Sequence, residues 1–214
     1  GAVSWRKLGP SEKRVIMANK SLAKSPTELT ILVTGGAGFI GSHTCVELLA
    51  KGFNVVIVDD LSNSSEVAVE RVRKIAGVGA DRCAFHEANV LDRDAMEAIF
   101  SEHDIDAIIH FAGFKAVGES VQKPLEYYWN NIAGTLVLCD VARNHGVKNI
   151  VFSSSATVYG EPEFVPITED CPKHSATNPY GQTKTMLEQV LTDLYVGDNE
   201  WNVVLLRYFN PIGA

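Results

Sequence analysis

The chain has 214 residues, of which 46% are hydrophobic and 21% are charged, which suits one large globular core. It contains no run of about 18 apolar residues, so the sequence predicts no membrane-spanning segment. The formal net charge is −7. Residues 1–28 hold six basic and two acidic residues, so residues 29–214 carry a net charge of −11. Such an acidic body disfavours nucleic acid as a partner.

The basic segment 1–28 begins with Gly1 and has its first methionine at Met17. We expect it to be an N-terminal extension, disordered or a non-native leader, with the fold beginning at Leu29. A transit peptide is the alternative, but the segment lacks an Arg-rich amphipathic pattern and contains Glu12.

From Leu29 onward, short apolar runs alternate with longer amphipathic stretches. The apolar runs predict strands at 30–34, 54–58, 83–87, 106–111, 148–153 and 202–207. The amphipathic stretches predict helices at 39–51, 64–76, 92–103, 125–144 and 179–196. Because the apolar runs do not alternate with polar residues, both faces of each strand are expected to be buried. The sequence therefore predicts an α/β fold, a doubly wound parallel sheet of Rossmann type, over residues 29–214.

Four cysteines stand singly along the chain, at Cys45, Cys83, Cys139 and Cys171. They form neither a CxxC pair nor a short disulfide framework. This spacing favours reduced thiols in a cytoplasmic protein and predicts no metal site.

A glycine-rich segment, GGAGFIG, directly follows the first predicted strand. Gly38 and Gly41 fit GxxGxxG with Gly35, and they fit GxGxxG with Gly36. Glycine permits a sharp turn and close approach of a pyrophosphate, and the following helix N-terminus attracts phosphate. Asp59 ends the next strand, where a carboxylate can bind both adenine-ribose hydroxyls and would repel a 2′-phosphate, so NAD is favoured over NADP. The alternative is a purely structural turn with a capping Asp.

Tyr180 and Lys184 stand one turn apart on the helix predicted at 179–196, so their side chains share a face. Ser155 follows the fifth predicted strand, at the carboxyl edge where parallel sheets bind ligands. A free tyrosine has a pKa of about 10. Since cations favour the phenolate, Lys184 and a nicotinamide ring are expected to lower the pKa of Tyr180, making it a base near neutral pH, with Ser155 bonding the same substrate oxygen.

Five segments of the chain resemble the UDP-glucose 4-epimerases of the extended short-chain dehydrogenase/reductase superfamily: LVTGGAGFIGSHT, IIHFAGFKAVGESVQKPLEYY, VFSSSATVYG, NPYGQTK and LLRYFNPIGA. The resemblance covers residues 29–214. It implies that Tyr180 is the catalytic base, Lys184 its partner and cofactor clamp, and Ser155 the third catalytic residue. It also implies that the C-terminal substrate domain is truncated here, so the chain is expected to be a fragment of a longer enzyme.

The same resemblance implies contacts to NAD and to a UDP-sugar, position by position. The NAD contacts would be Gly35, Gly38, Phe39, Ile40, Gly41, Asp59, Asp60, Leu61, Ser62, Asn63, Ser64, Asn89, Val90, Phe111, Ala112, Gly113, Lys115, Asn130, Tyr180, Lys184 and Phe209. The UDP-sugar contacts would be Lys115, Ser155, Tyr180 and Asn210. Val90, Phe111 and Phe209 also suit plain core positions, and Asn130 suits a polar helix face. Asn89 departs from the family, which usually has Asp there, and Trp129 replaces a common acidic residue.

The implied reaction interconverts UDP-glucose and UDP-galactose in galactose metabolism. Tyr180 would take the proton of the sugar 4-hydroxyl while NAD takes the hydride from C4, and hydride would return to the opposite face of the 4-keto sugar. The resemblance further implies a homodimer formed through the helices predicted at 92–103 and 125–144.

Two other functions stay open. A nucleotide-sugar 4,6-dehydratase or decarboxylase uses the same scaffold, but it places an acidic residue just after the position of Ser155, where this chain has Ala156 and Thr157. A non-catalytic NAD-binding protein is the other alternative. The intact trio argues against it for the complete enzyme, whereas a truncated chain is expected to bind NAD weakly and to turn over poorly or not at all.

Overall fold

The computed structural model describes residues 3–6, 24–173 and 176–212, with the backbone alone described for residues 3–6. The strands are β1 Val3–Arg6, β2 Thr30–Thr34, β3 Asn54–Asp59, β4 Cys83–Glu87, β5 Ala107–His110, β6 Asn149–Ser155 and β7 Asn202–Tyr208. The α-helices are α1 Phe39–Ala50, α2 Glu66–Ala76, α3 Arg93–Glu102, α4 Val117–Gln122, α5 Pro124–Tyr128, α6 Gly134–Asn144 and α7 Pro179–Gly197. A π-helix spans Trp129–Ala133, and 3-10 turns span Pro26–Glu28 and Ala156–Tyr159.

The chain divides into two compact units. The glycine-loop unit comprises residues 24–112 and 134–150, and the Ser–Tyr–Lys unit comprises residues 113–133 and 151–212 together with β1. None of the helices in the described part of the chain combines the length and apolar composition that crossing a bilayer requires.

The glycine-loop unit is built on a parallel sheet with the strand order β5-β2-β3-β4. The central strands β2 and β3 are buried along nearly their whole length, with Val33, Val55 and Ile57 almost inaccessible to solvent, as expected for strands covered on both faces. Residues of α1 and α2, including Leu49 and Val69, pack into the same core. The apolar runs of the sequence therefore form the centre of this unit.

Local sequence signals fix the helix ends in this unit. The Ser65 side chain caps α2 by accepting a hydrogen bond from the Val67 N–H, and Gly77 ends that helix in the left-handed conformation. Asp92 caps α3 by accepting a hydrogen bond from the Ala95 N–H at 3.1 Å. Each cap satisfies backbone groups that the helix itself leaves unpaired.

The Ser–Tyr–Lys unit contains β7 between β6 and β1, and β1 runs antiparallel to β7 with Val3 opposite Tyr208. Helix α7 packs against α4 and α5 and against the 3-10 turn that follows β6. Asn178 caps α7 by accepting a hydrogen bond from the Gly181 N–H at 2.9 Å, and Pro179 occupies its first position. This cap fixes the start of α7 and so places Tyr180 in the first turn of the helix.

The predicted doubly wound parallel α/β fold is confirmed, and every predicted strand from 30–34 onward is present with ends that differ by at most two residues. The helix predicted at 125–144 is wrong as a single element, because α5, the π-helix and α6 divide it. Helix α4 and the 3-10 turn after β6 were not predicted. Both are too short to show a clear 3.6-residue pattern.

The N-terminal extension predicted over residues 1–28 contains two segments with regular backbone structure, β1 and the 3-10 turn Pro26–Glu28. Lys24, which also falls in the predicted extension, belongs to the glycine-loop unit, where its Nζ lies 2.7 Å from the Asp106 carboxylate. Residues 7–23 of the predicted extension lie outside the described residues.

Candidate active site

The turn after β2 contains two glycines, Gly35 and Gly41, at which any side chain would clash with the backbone. Gly35 has φ +69°, and a Cβ atom there would lie 2.7 Å from the Ala112 nitrogen. A Cβ atom at Gly41 would lie 2.2 Å from the Gly35 carbonyl oxygen. Gly38 is the N-cap of α1 and brings no side chain over its first turn. The result is a close-packed backbone bend that leads directly into a helix N-terminus, the geometry that accepts a phosphate.

The Asp59 carboxylate lies at the carboxyl end of β3 and is buried. It accepts hydrogen bonds from the Ala37 N–H at 3.0 Å, the Leu61 N–H at 3.1 Å and the Ser64 hydroxyl at 2.7 Å. An ionised carboxylate can accept about four hydrogen bonds. Asp59 therefore holds the glycine loop in place and keeps little accepting capacity for the predicted ribose contact.

The predicted contact loop after β3 is held by a second carboxylate. Asp60 accepts from the Ser62 N–H at 3.0 Å and hydroxyl at 2.6 Å, and from the Asn89 amide at 2.8 Å. An Asp at position 89 would face Asp60 with a like charge, so Asn89 suits this pairing. Leu61 has φ +56°, a strained conformation for a residue with a branched side chain.

The remaining predicted contacts differ in exposure. Phe39, Asp60, Ser62, Asn63, Lys115 and Asn210 are exposed, and Ile40, Phe111, Ala112, Gly113, Asn130 and Phe209 are partly buried. Val90 is buried against Gly134, where an added Cβ would lie 2.8 Å from the valine methyl carbon. Val90 therefore fills a position in the core, and its contact to NAD stays a prediction.

Ser155 and Tyr180 meet in the Ser–Tyr–Lys unit. The Ser155 hydroxyl caps the 3-10 turn by accepting a hydrogen bond from the Thr157 N–H at 3.2 Å. Burial raises the pKa of Tyr180, and the Ser155 side chain opposes that rise. The predicted lowering of this pKa is therefore absent from the chain itself, because losing water around the phenolate outweighs the stabilisation that its neighbours supply.

Lys184 is buried one turn beyond Tyr180, with only 5% of its surface exposed. Its Nζ donates a hydrogen bond to the Ser153 carbonyl at 2.6 Å and lies 5.9 Å from the centre of the Tyr180 ring. Burial lowers the pKa of Lys184 to about 8. At neutral pH the side chain is mostly an ammonium held beside the phenol.

A buried ion pair that the sequence analysis missed supports these residues. Glu188, one turn beyond Lys184, receives two hydrogen bonds from Arg207 of β7, at 2.9 and 2.8 Å, and both side chains are almost fully buried. Ser154 donates to the same carboxylate at 2.6 Å, and Arg207 donates to the Tyr159 hydroxyl at 2.8 Å. Burial would raise the pKa of Glu188, but the Arg207 and Ser154 hydrogen bonds hold it below its usual value. The pair joins α7 to β6, β7 and the 3-10 turn.

Asn131 is a second supporting residue that the sequence analysis missed. Its side chain is buried in the π-helix, where it accepts from the Phe114 N–H at 2.8 Å and donates to the Phe114 carbonyl at 3.0 Å. It also donates to the Thr183 hydroxyl at 3.1 Å. A polar side chain on the apolar face of a predicted helix was the available signal for both Asn131 and Glu188, since such a group requires a partner.

Comparison with models of known protein families identifies the family of this chain. A family model described as the NAD dependent epimerase/dehydratase family matches residues 31–214. The chain belongs to this family.

Individual relatives are similar over most of this chain. A UDP-glucose 4-epimerase from Bacillus subtilis is 62% identical over 186 residues, covering 87% of the chain and 54% of the relative. UDP-glucose 4-epimerase 2 from Arabidopsis thaliana is 57% identical over 185 residues, covering 86% of the chain and 53% of the relative. A crystal structure of UDP-glucose 4-epimerase from Bifidobacterium longum in complex with NAD⁺ and UDP is 56% identical, with a TM-score of 0.84, covering 86% of the chain and 54% of that structure. The chain spans about half the length of the curated relatives it matches.

Proposed function

We propose that the protein to which these residues belong is a UDP-glucose 4-epimerase, an isomerase that interconverts UDP-glucose and UDP-galactose with NAD as its cofactor. The observation that carries the proposal is the buried amine of Lys184, which lies 5.9 Å from the centre of the Tyr180 ring, with the Ser155 side chain favouring the phenolate. The names of the relatives, at 62% and 57% identity, support the choice of reaction.

The residues present fit the pyrophosphate of a dinucleotide. Side chains are excluded at Gly35 and Gly41 by contacts under 3 Å, and Gly38 leaves the first turn of α1 uncovered. Asp59 fixes this turn through the Ala37 N–H. The turn and the first residues of α1 would hold the phosphates, and bound NAD would supply the group that accepts and returns a hydride at C4 of the sugar.

The chain's own residues would hold and move the proton. Tyr180, as phenolate, would take the proton of the sugar 4-hydroxyl, and the Ser155 hydroxyl would hydrogen-bond the same oxygen. Burial raises the pKa of Tyr180, and the Ser155 side chain only partly offsets that rise. The positive charge of an oxidised nicotinamide would complete that offset, which makes Tyr180 a base only when the oxidised cofactor is bound.

The test is an assay of UDP-galactose conversion to UDP-glucose by the whole protein, comparing wild type with Tyr180→Phe. The variant keeps the ring but loses the proton acceptor, so we expect kcat to fall by about 10²–10⁴-fold. Tyr195→Phe is the matched control, because Tyr195 lies on the same helix about 22 Å further along its axis and should leave kcat unchanged.

Two results would reject the proposed reaction. The first is full activity in Tyr180→Phe. The second is formation of a 6-deoxy-4-keto sugar, which would assign the chain to the dehydratase branch despite the uncharged Ala156 and Thr157 beside Ser155.

We also propose a cytoplasmic homodimer. All four cysteines are free and buried, which suits a reducing compartment. The large apolar side chains of Leu136 on α6 and Trp129 in the π-helix are exposed, in the region predicted to form the dimer. Light scattering on wild type and on Leu136→Asp tests this: a dimer that the variant converts to a monomer is expected, and a monomeric wild type would refute it.

A further inference from the structure

Two histidines of the glycine-loop unit, unused in the proposed reaction, direct their ring nitrogens at each other. His86 lies on β4, and His103 is the residue at which α3 ends. Their Nε2 atoms are 2.8 Å apart, and the rings are tilted by 74° with centroids 5.1 Å apart. A hydrogen bond between two imidazoles needs one N–H and one lone pair, so at least one ring must be neutral.

A carboxylate completes this group. Glu102 Oε1 lies 3.8 Å from His103 Nε2, and the ligand atoms of His86, Glu102 and His103 all lie within 4.8 Å of one another. The two histidines are partly buried and Glu102 is exposed, so the group opens to solvent on the carboxylate side. Two imidazoles and one carboxylate form a ligand set that zinc and related transition ions prefer.

We propose that His86, Glu102 and His103 form a binding site for one divalent transition-metal ion of the Zn²⁺ type. Zinc–nitrogen bonds of about 2.0–2.1 Å in a tetrahedral site place two imidazole nitrogens about 3.3 Å apart. The histidine nitrogens would therefore separate by about 0.5 Å, and the Glu102 oxygen would approach His103 by a similar amount. Water takes the fourth position.

The hydrogen bond between the two rings favours this role. It requires at least one imidazole to be neutral, and a metal ion binds the neutral ring. The ion would take the place of the proton shared by the two Nε2 atoms and would bind a lone pair of each of them.

The site would act as a structural cross-link. Strand β4 is the last strand in the order β5-β2-β3-β4, and it pairs with β3 from Val55–Cys83 to Asp59–Glu87. An ion held by His86 and His103 would tie this strand to the end of α3. Binding to the folded chain alone raises its stability by mass action.

The experiment is calorimetric titration of the metal-free chain with Zn²⁺ near neutral pH, together with thermal unfolding. We expect one Zn²⁺ per chain and a higher Tm with Zn²⁺ than with Mg²⁺. His86→Ala and His103→Ala should each weaken binding by at least the roughly 10–100-fold that loss of an outer-shell partner costs. Glu102→Gln should weaken it less, because the carboxylate is exposed.

Matched controls come from a second histidine–carboxylate pair, which also involves α3. His145 binds Glu97 of α3 at 2.7 Å, so His145→Ala and Glu97→Gln remove one histidine and one carboxylate without touching the proposed site. Both controls should retain wild-type affinity. The proposal is overturned if the chain binds no Zn²⁺, if His86→Ala binds it as tightly as wild type, or if Co²⁺ gives a thiolate charge-transfer band, which would assign binding to the cysteines.

Discussion

The glycine-loop unit and the Ser–Tyr–Lys unit support their sites in opposite ways. In the first, the site is shaped by backbone packing: Gly35 and Gly41 are fixed by contacts with main-chain atoms, and one carboxylate, Asp59, secures the turn. In the second, the site is held by side chains taken out of water, above all Lys184 and the pair Glu188–Arg207. The glycine turn has no room for added side chains at Gly35 and Gly41. The Ser–Tyr–Lys unit instead requires each buried charge to have a partner of opposite charge or a hydrogen bond, as in the pair Glu188–Arg207.

This difference predicts which substitutions destabilise each unit. A close-packed backbone turn fails when a side chain adds volume to it. A buried ion pair fails when one partner is removed, because the remaining charge is left without compensation. Three measurements on stability separate the two cases.

The largest effect is expected for Arg207→Ala. This change leaves Glu188 buried without its bidentate partner, so the free energy of unfolding should fall by about 3–5 kcal/mol in urea titrations. Lys173→Ala is the control, because Lys173 binds the same carboxylate at 3.2 Å from a partly exposed position and should cost about 1 kcal/mol or less. Equal losses in the two variants would contradict the central role of Arg207.

The same pair admits a sharper test. The double variant Glu188→Gln with Arg207→Met removes both charges, so it should be more stable than Arg207→Ala. If the double variant is the less stable of the two, the loss in Arg207→Ala comes from packing and not from an uncompensated charge.

A somewhat smaller effect is expected from Lys184, and it depends on pH. The pKa of Lys184 is about 8 in the folded chain against 10.5 for an ordinary lysine. Between these values the unfolded chain binds a proton that the folded chain does not, so the Lys184 contribution to stability rises with pH through this window. The total is about 3 kcal/mol.

Lys184→Met removes this contribution, so the variant should gain stability relative to wild type below pH 8. That advantage should shrink as pH rises from about 8 toward 10.5. Urea titrations of both proteins across this range measure the difference, and Lys51→Met on the exposed end of α1 is the control. A difference that stays constant with pH would show that Lys184 titrates normally.

The smallest of the three effects is expected for Gly41→Ala, which adds volume to the backbone turn. The new Cβ would lie 2.2 Å from the Gly35 oxygen, so the turn must shift at a cost of about 1–3 kcal/mol. Binding of NAD, measured by calorimetry, should weaken in parallel. Gly118→Ala meets no atom within 4 Å and should alter neither quantity, so losses of the same size there would remove the steric argument.

The sequence was most informative where one residue type serves one purpose. Uninterrupted apolar runs predicted the strands from Thr30 onward, because a sheet buried on both faces requires such runs. Glycines predicted the turn after β2, since only glycine avoids the clashes found there. The spacing of Tyr180 and Lys184 placed them on one helical face, where the Lys184 amine lies 5.9 Å from the centre of the Tyr180 ring.

The sequence was least informative where a residue depends on a partner far along the chain. Glu188 and Arg207 are separated by 19 residues, and Asn131 and Thr183 by 52, so neither pairing has a local signature. The pKa of Tyr180 in the chain alone also depends on the fold. Spacing revealed the nearby cation, but only the fold shows the burial that raises the pKa of the phenol.

The four buried cysteines give this chain a built-in chemical reporter. Burial raises the pKa of the thiols of Cys45, Cys83 and Cys139, which keeps them in the unreactive protonated form while the chain is folded. Cys45 and Cys83 lie in the glycine-loop unit near its core, and Cys171 lies in the other unit. Alkylation followed by peptide mass analysis would therefore time the opening of each region separately, with no added label.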